Sequence, residues 1–155
     1  MPVFLSFAVF ALALDRFTKY IVKANMELYS SFPVIDGLLY ITHIENPGVV
    51  FGLFSGQGLG AGRWILAALV TLASIGVIVY WSVNKQKNFL FNTSCGLILG
   101  GAIGNLIDRV ATGLVTDFIE VGYKGFTWPL FNAADMAVTT GVGLMIIYVI
   151  TQKEV

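Results

Sequence analysis

In a chain of 155 residues that is 57% hydrophobic and 12% charged, two carboxylates stand where lipid is expected. Asp117 lies inside the apolar stretch LVTDFI, and Asp135 opens the last apolar run, in PLFNAAD. Two carboxylates converging at a lipid boundary are costly to keep ionised, so the pair is expected to share one proton. Such a pair suits acid–base chemistry, one member taking a proton from water while the other gives one to a leaving group. Asp135 alone has a simpler account, because Asn132-x-x-Asp135 has the form of a capping box and an acid in the first turn complements the helix dipole. That account does not extend to Asp117.

Other polar residues recur near the same face. Asp15 and Lys19 stand at i, i+4 in the favourable order for a pair on one helix face. Asn105, Asp108 and Arg109 close the third apolar run in the segment GNLIDR. Each group also admits a structural reading, as a snorkelling ion pair or an interfacial helix terminus. Other chemistries find few residues. One histidine and one cysteine make neither a His/Cys metal cluster nor a disulfide, and no Ser-x-x-Lys or Gly-x-Ser-x-Gly marks a serine nucleophile. Cys95, mid-span among small residues, reads as packing. His43, beside a predicted strand, reads as structural.

The elements that must position these groups follow from hydropathy. A mean hydropathy of +0.82 is too apolar for a soluble domain of this size. Residues 64–81 and 89–107 carry no charge and approach the roughly 20 residues a membrane helix needs. A fourth span is expected over 133–151, with Asp135 in its first turn, and a first over 3–22, continuing through Asp15, Arg16 and Lys19. Ala11-Leu12-Ala13 has the form of a signal-peptide cleavage site, but the segment lacks a positively charged start and three apolar spans follow. The expected fold is therefore an α-helical membrane protein, one domain over 1–155, with four transmembrane helices and a small β-element in the first long loop. That β-element is LLYITHI, residues 38–44, between DG and NPG turns. Gly96, Gly100 and Gly104 give the third helix a flat face for close packing, and Ala137 and Gly141 do the same on the fourth.

Four crossings place loops one and three on one face. The cations there are Arg16, Lys19, Lys23, Arg63, Arg109 and Lys124, against Lys85, Lys87 and Lys153 on the other, so the positive-inside rule leaves orientation open. Zero net charge gives no reason to expect a nucleic-acid partner. Intramembrane acids also mark proton-coupled transporters, but transporter sites usually lie near the midplane and these acids gather at one edge. A non-enzymatic scaffold, with the polar residues as anchors, is the other competing class.

Taken in order, DRFTK (15–19), ENPGVVFG (45–52), GNLIDR (104–109), LVTDFI and PLFNAAD resemble the blocks of the lipoprotein signal peptidases, the signal peptidase II family of bacterial membrane aspartyl proteases. The resemblance implies Asp117 and Asp135 as the catalytic pair, with supporting or substrate-binding roles for Asp15, Lys19, Asn46, Gly48, Asn105, Asp108, Arg109 and Asn132. It implies diacylglyceryl-prolipoprotein substrates cut on the N-terminal side of the lipidated lipobox cysteine, contact with membrane lipid, cyclic peptide inhibitors of the globomycin type, and no cofactor. It also implies location in the bacterial cytoplasmic (inner) membrane, with both termini cytoplasmic and the β-element and active site at the outer leaflet. Val49 and Val50 depart from the family's small alanines and Pro47 precedes Gly48, departures that would narrow or stiffen a substrate cleft. Thr116 in place of valine is expected to be minor.

Overall fold

The structure, a computed structural model, describes residues 1–48, 61–85, 87–123 and 125–152. Val49 and Val50, like Lys124 and Lys153, lie outside the described residues. Among the described residues, four long helices and four strands follow the order α1 (Pro2–Asn25), β1 (Ser31–Ile35), β2 (Leu39–Asn46), α2 (Ala61–Val83), α3 (Phe89–Ala111), β3 (Val115–Tyr123), β4 (Phe126–Thr127) and α4 (Ala133–Gln152). Among the described residues three helices, α2, α3 and α4, are long and apolar enough to cross a membrane. The fourth, α1, carries Asp15, Arg16, Lys19 and Lys23, and these charges dilute its hydropathy.

The small β-element is larger than one loop. LLYITHI does form the heart of β2, and the Asp36-Gly37 turn folds β1 back on it, Phe32 opposite Ile41. The apolar stretch around Asp117, however, is itself a strand. β3 pairs antiparallel with β2, so the sheet runs β1-β2-β3-β4 and ties the first long loop to the third. LVTDFI has the β-branched and aromatic content that a half-buried strand favours. The chain enters it through Gly113, whose φ of +82° follows the end of α3 and whose amide closes onto the carbonyls of Asp108 and Arg109.

Helix α3 is the hub. It begins at the Asn88 cap, whose side chain accepts a hydrogen bond from the amide of Phe91 at 2.9 Å. Its glycine stripe then receives α1: a Cβ at Gly96 would strike the Phe4 carbonyl, and one at Gly100 the Ala8 carbonyl. On the opposite side, Gly141 of α4 sits against the Ser94 carbonyl and Ile98. Removing side chains lets backbones approach closely, which is how helices associate where lipid offers no hydrophobic drive. Two apolar cores flank the polar region. Phe4, Phe91, Cys95, Leu99 and Tyr148 fill one end of the bundle, while Val22, Phe118 and Ala133 fill the seam between sheet and helices. Cys95 is fully buried in the first of these, as packing requires.

Gly100→Ala should lower the thermal midpoint in detergent, because the methyl meets fixed backbone and overpacking costs about 1–3 kcal/mol. Gly143→Ala is the matched control. Nothing lies within 4 Å of a Cβ there, so the same change should raise the midpoint slightly by the roughly 0.5–1 kcal/mol that alanine gains over glycine in a helix. Equal shifts at the two positions would contradict the packing described.

Candidate active site

The site is built around donors that cannot accept. Lys19 and Asp15 are both fully buried, and their side chains meet at 2.9 Å along α1. The same ammonium reaches Asp108 of α3 at 2.7 Å and donates to Asn105 Oδ1 at 2.9 Å. Arg16 completes the group by reaching Asp108 at 2.5 Å and the Gly104 carbonyl at 3.3 Å. Two acids and two bases therefore balance, which is what makes burial of any one of them tolerable. Gly104 makes the space, since a Cβ there would fall 2.5 Å from Asp15 Oδ2. Asp15 also accepts from the Ala134 amide at 3.1 Å, pinning the start of α4.

Because Lys19 can only donate, it fixes which way the Asn105 amide points. Its oxygen takes Lys19 and the Asn132 amide group (3.1 Å), and its nitrogen therefore donates to Asp135 Oδ1 at 2.8 Å. Asn132 is fully buried and serves both carboxylates. Its Nδ2 donates to Asp117 Oδ1 at 2.7 Å, and its backbone amide donates to Asp135 Oδ2 at 3.1 Å. Its Oδ1 accepts from the Asp135 amide at 3.0 Å, so the capping box anticipated from Asn132-x-x-Asp135 is formed in full. Asp135 is at once a cap and a neighbour of Asp117. On the sheet side, Asn46 Nδ2 donates to Asp117 Oδ2 at 2.8 Å while its Oδ1 holds the Gly48 amide at 2.8 Å. Gly48 has φ +74°, a left-handed turn that favours glycine, and a Cβ would meet Leu66 of α2 at 2.6 Å.

The two carboxylates differ in setting. Burial drives the Asp117 carboxyl up to about 6; the Asn46 bond opposes the rise, the Asp135 charge adds to it, and the Asn132 bond and Lys19 charge oppose it. Asp135 is half-buried and lines a cleft of ≈ 350 Å³ with Asn105, Arg109, Val70, Ala73 and Val138. Arg109 Nη1 rests on the Asn105 carbonyl at 3.1 Å. A carboxyl that keeps its proton toward neutral pH beside a second carboxylate at the mouth of an apolar cleft can give and take protons on a bound carbonyl compound.

All ten residues singled out from the sequence lie in or against this network. Sequence reasoning gave no site role to Arg16 or Glu45 and treated Thr116, in place of valine, as minor. Thr116 is fully buried and donates to Glu45 Oε1 at 3.2 Å, so it is not an inert stand-in for valine. No spacing singles out Arg16, Glu45 or Thr116, but Lys23, which meets Glu45, repeats with Asp15 and Lys19 at i, i+4, i+8 on one face of α1. His43 is buried, with Nδ1 3.0 Å from the Met26 carbonyl, as a structural role requires.

The fold is that of a bacterial membrane enzyme. Two solved structures titled as bacterial membrane enzymes, at 2.3 and 1.9 Å resolution, superpose with TM-scores of 0.85 at 33% identity, over 99% and 96% of this chain and 90% and 93% of theirs. Residues 7–151 match the family described as Signal peptidase (SPase) II. Proteins named lipoprotein signal peptidase from Syntrophus aciditrophicus and Symbiobacterium thermophilum are 38% and 36% identical, over 97% and 92% of this chain and 94% and 91% of their own lengths. The chain belongs to the signal peptidase II family, aspartic-type proteases that cleave the signal peptides of prolipoproteins.

The raised carboxyl has a measurable consequence. Asp117 is favoured in its protonated form on folding, so its contribution is full below about 3.8 and lost as pH rises through about 6. Wild type should therefore lose stability relative to Asp117→Asn over that interval, by up to about 3 kcal/mol at 1.36 kcal/mol per unit. Thermal midpoints of both proteins between pH 4 and 7 check this, and a constant difference would refute it.

Proposed function

We propose that this chain removes the signal peptide from diacylglyceryl-modified prolipoproteins, cutting on the N-terminal side of the lipidated lipobox cysteine, with Asp117 and Asp135 as the catalytic pair. The observation that carries the reading is Asn132, which hydrogen-bonds both carboxylates and so holds them as one unit. The pair shares one proton. The ionised carboxylate takes a proton from water, whose oxygen attacks the scissile carbonyl carbon. The protonated partner hydrogen-bonds the developing oxyanion, and a carboxylic acid then delivers the proton to the leaving nitrogen as the C–N bond breaks. Asn46, Asn105 and Asn132 orient the two carboxylates. Asp15, Lys19 and Asp108 hold those amides in place. Gly48 keeps Asn46 turned toward Asp117, and Arg109 edges the cleft where substrate lies.

The substrate's acyl chains stay among the helices, so anchoring in lipid does part of the positioning. The cleft walls suit this, with Val70 and Ala73 on α2 facing Val138 on α4. A cyclic peptide of the globomycin type would compete for the same cleft. α1 is the fourth span in this reading. Its charged Asp15 and Lys19 turn inward, while Leu5, Val9, Phe10, Leu14 and Phe17 are exposed on the outer face. The whole chain is then one multi-pass domain of the cytoplasmic (inner) membrane, with both termini cytoplasmic and sheet and dyad at the outer leaflet.

Asp117→Asn and Asp135→Asn should each lower cleavage of a diacylglyceryl lipobox peptide in detergent by at least about 10²-fold, the low end of general acid–base contributions. The double change should cost little more, because the pair acts as a unit. Activity against pH should be bell-shaped, with two apparent values that belong to the dyad. Either single variant, folded and turning over near the wild-type rate, would end this reading. Orientation is tested separately in a Cys95→Ser background carrying single cysteines at Asp36 or Lys85. The impermeant thiol reagent should label position 36 in intact cells and position 85 only after permeabilisation; the reverse pattern would invert the topology.

A further inference from the structure

The Lys23–Glu45 pair lies outside the network above and holds the strand that carries Asn46. Lys23 Nζ meets Glu45 Oε1 at 2.9 Å, joining the end of α1 to β2. The same oxygen accepts from Thr116 at 3.2 Å, and His43 Nε2 lies 3.7 Å away. In the β2–β3 register Glu45 stands opposite Thr116, while Ile44 stands opposite Asp117 and Asn46 opposite Val115. Alternation along the strands therefore puts Glu45 and Thr116 on one face, and Asn46 and Asp117 on the other. Glu45 Oε2 is buried and forms no hydrogen bond, so the carboxylate depends on Lys23 for compensation.

Asp15, Lys19 and Lys23 follow one another at four-residue steps along α1. Lys19 acts through Asn105, which donates to Asp135. Lys23 acts one turn later, through Glu45, on the residue beside it that donates to Asp117. The β2–β3 register shifts between Ile41 and Ile44 and is regular again from Ile44 to Asn46, so the ladder places the Asn46 backbone opposite Val115 and the Glu45 contacts lie on the face behind it. We propose that Lys23 and Glu45 are positioning residues for cleavage: their ion pair clamps β2 from behind and sets the Asn46 amide on Asp117, as Lys19 sets the Asn105 amide on Asp135.

This rests on the catalytic reading of Asp117, and wild-type turnover in the same assay tests that reading by itself. Lys23 is partly exposed but its loss leaves Glu45 short of a counter-charge, so Lys23→Met is assayed where its thermal midpoint shows it folded. It should lower kcat about tenfold or more, as small misplacements of reacting groups do, and leave KM within about twofold. Glu45→Gln should do the same, and the charge-exchanged Lys23→Glu/Glu45→Lys double variant should recover part of the loss. In an Asn46→Ala background Lys23→Met should add little, since both act through one hydrogen bond. A readout without substrate completes the test. Losing the Asn46 bond removes a donor that favours ionised Asp117, so the pH interval of the wild-type-minus-Asp117→Asn stability difference should move upward in Lys23→Met. Asn132, Asp135, Lys19 and Arg109, the other groups acting on Asp117, stay as they are. Wild-type kcat in the folded single variants, a loss confined to KM, or a loss that adds in full to that of Asn46→Ala would overturn the proposal.

Discussion

A buried ammonium with no exposed surface must find acceptors on every side, and Lys19 finds three: Asp15, Asp108 and Asn105. Breaking such a group by removing one partner costs several kcal/mol, far more than an exposed pair contributes. The requirement brings α1 against α3 at one depth and rotation. The glycines of α3 permit the approach, and the charge determines where along the stripe it stops. Everything downstream inherits that setting. Asn105 can present only its nitrogen to Asp135, Asn132 must present its nitrogen to Asn105 and Asp117, and α4 begins where Asp15 receives the Ala134 amide.

Asp135 shows why a local motif and a site need not compete. The capping box satisfies the amides at the start of α4, and the same geometry leaves Asp135 Oδ1 facing Asn105. One residue thus ends a helix correctly and meets a second carboxylate across Asn132. The cap accounts for the helix start but not for the carboxylate that Asn132 holds beside it.

The helices were legible because their signal is local: uncharged runs of span length, a cap at Asn132, glycines at four-residue spacing. The carboxylate pair was legible because two acids in apolar surroundings need a reason. The pairing of β2 with β3 was not, since strands separated by a whole pair of helices leave no joint period in the sequence. LVTDFI read as an apolar stretch carrying an acid, although its residues suit a strand. Ion-pair choice was equally hidden. Arg16 turns to Asp108 and Lys23 to Glu45 only after packing has placed them, and Thr116 matters only because Glu45 lies across the ladder.

Helix α2 stands apart from this scheme. Among the described elements it packs chiefly on α3 and supplies no side chain to the hydrogen bonds that link Lys19, the asparagines and the two aspartates. Mechanically, α1, α3, α4 and the sheet are a braced frame, whereas α2 is a panel held by packing, along α3 and through Trp81 stacked on Phe4 of α1. Val70 and Ala73 on that panel form one wall of the cleft beside Asp135. The width of that opening is therefore set by apolar packing, whereas the spacing of the two carboxylates is set by hydrogen bonds within the frame.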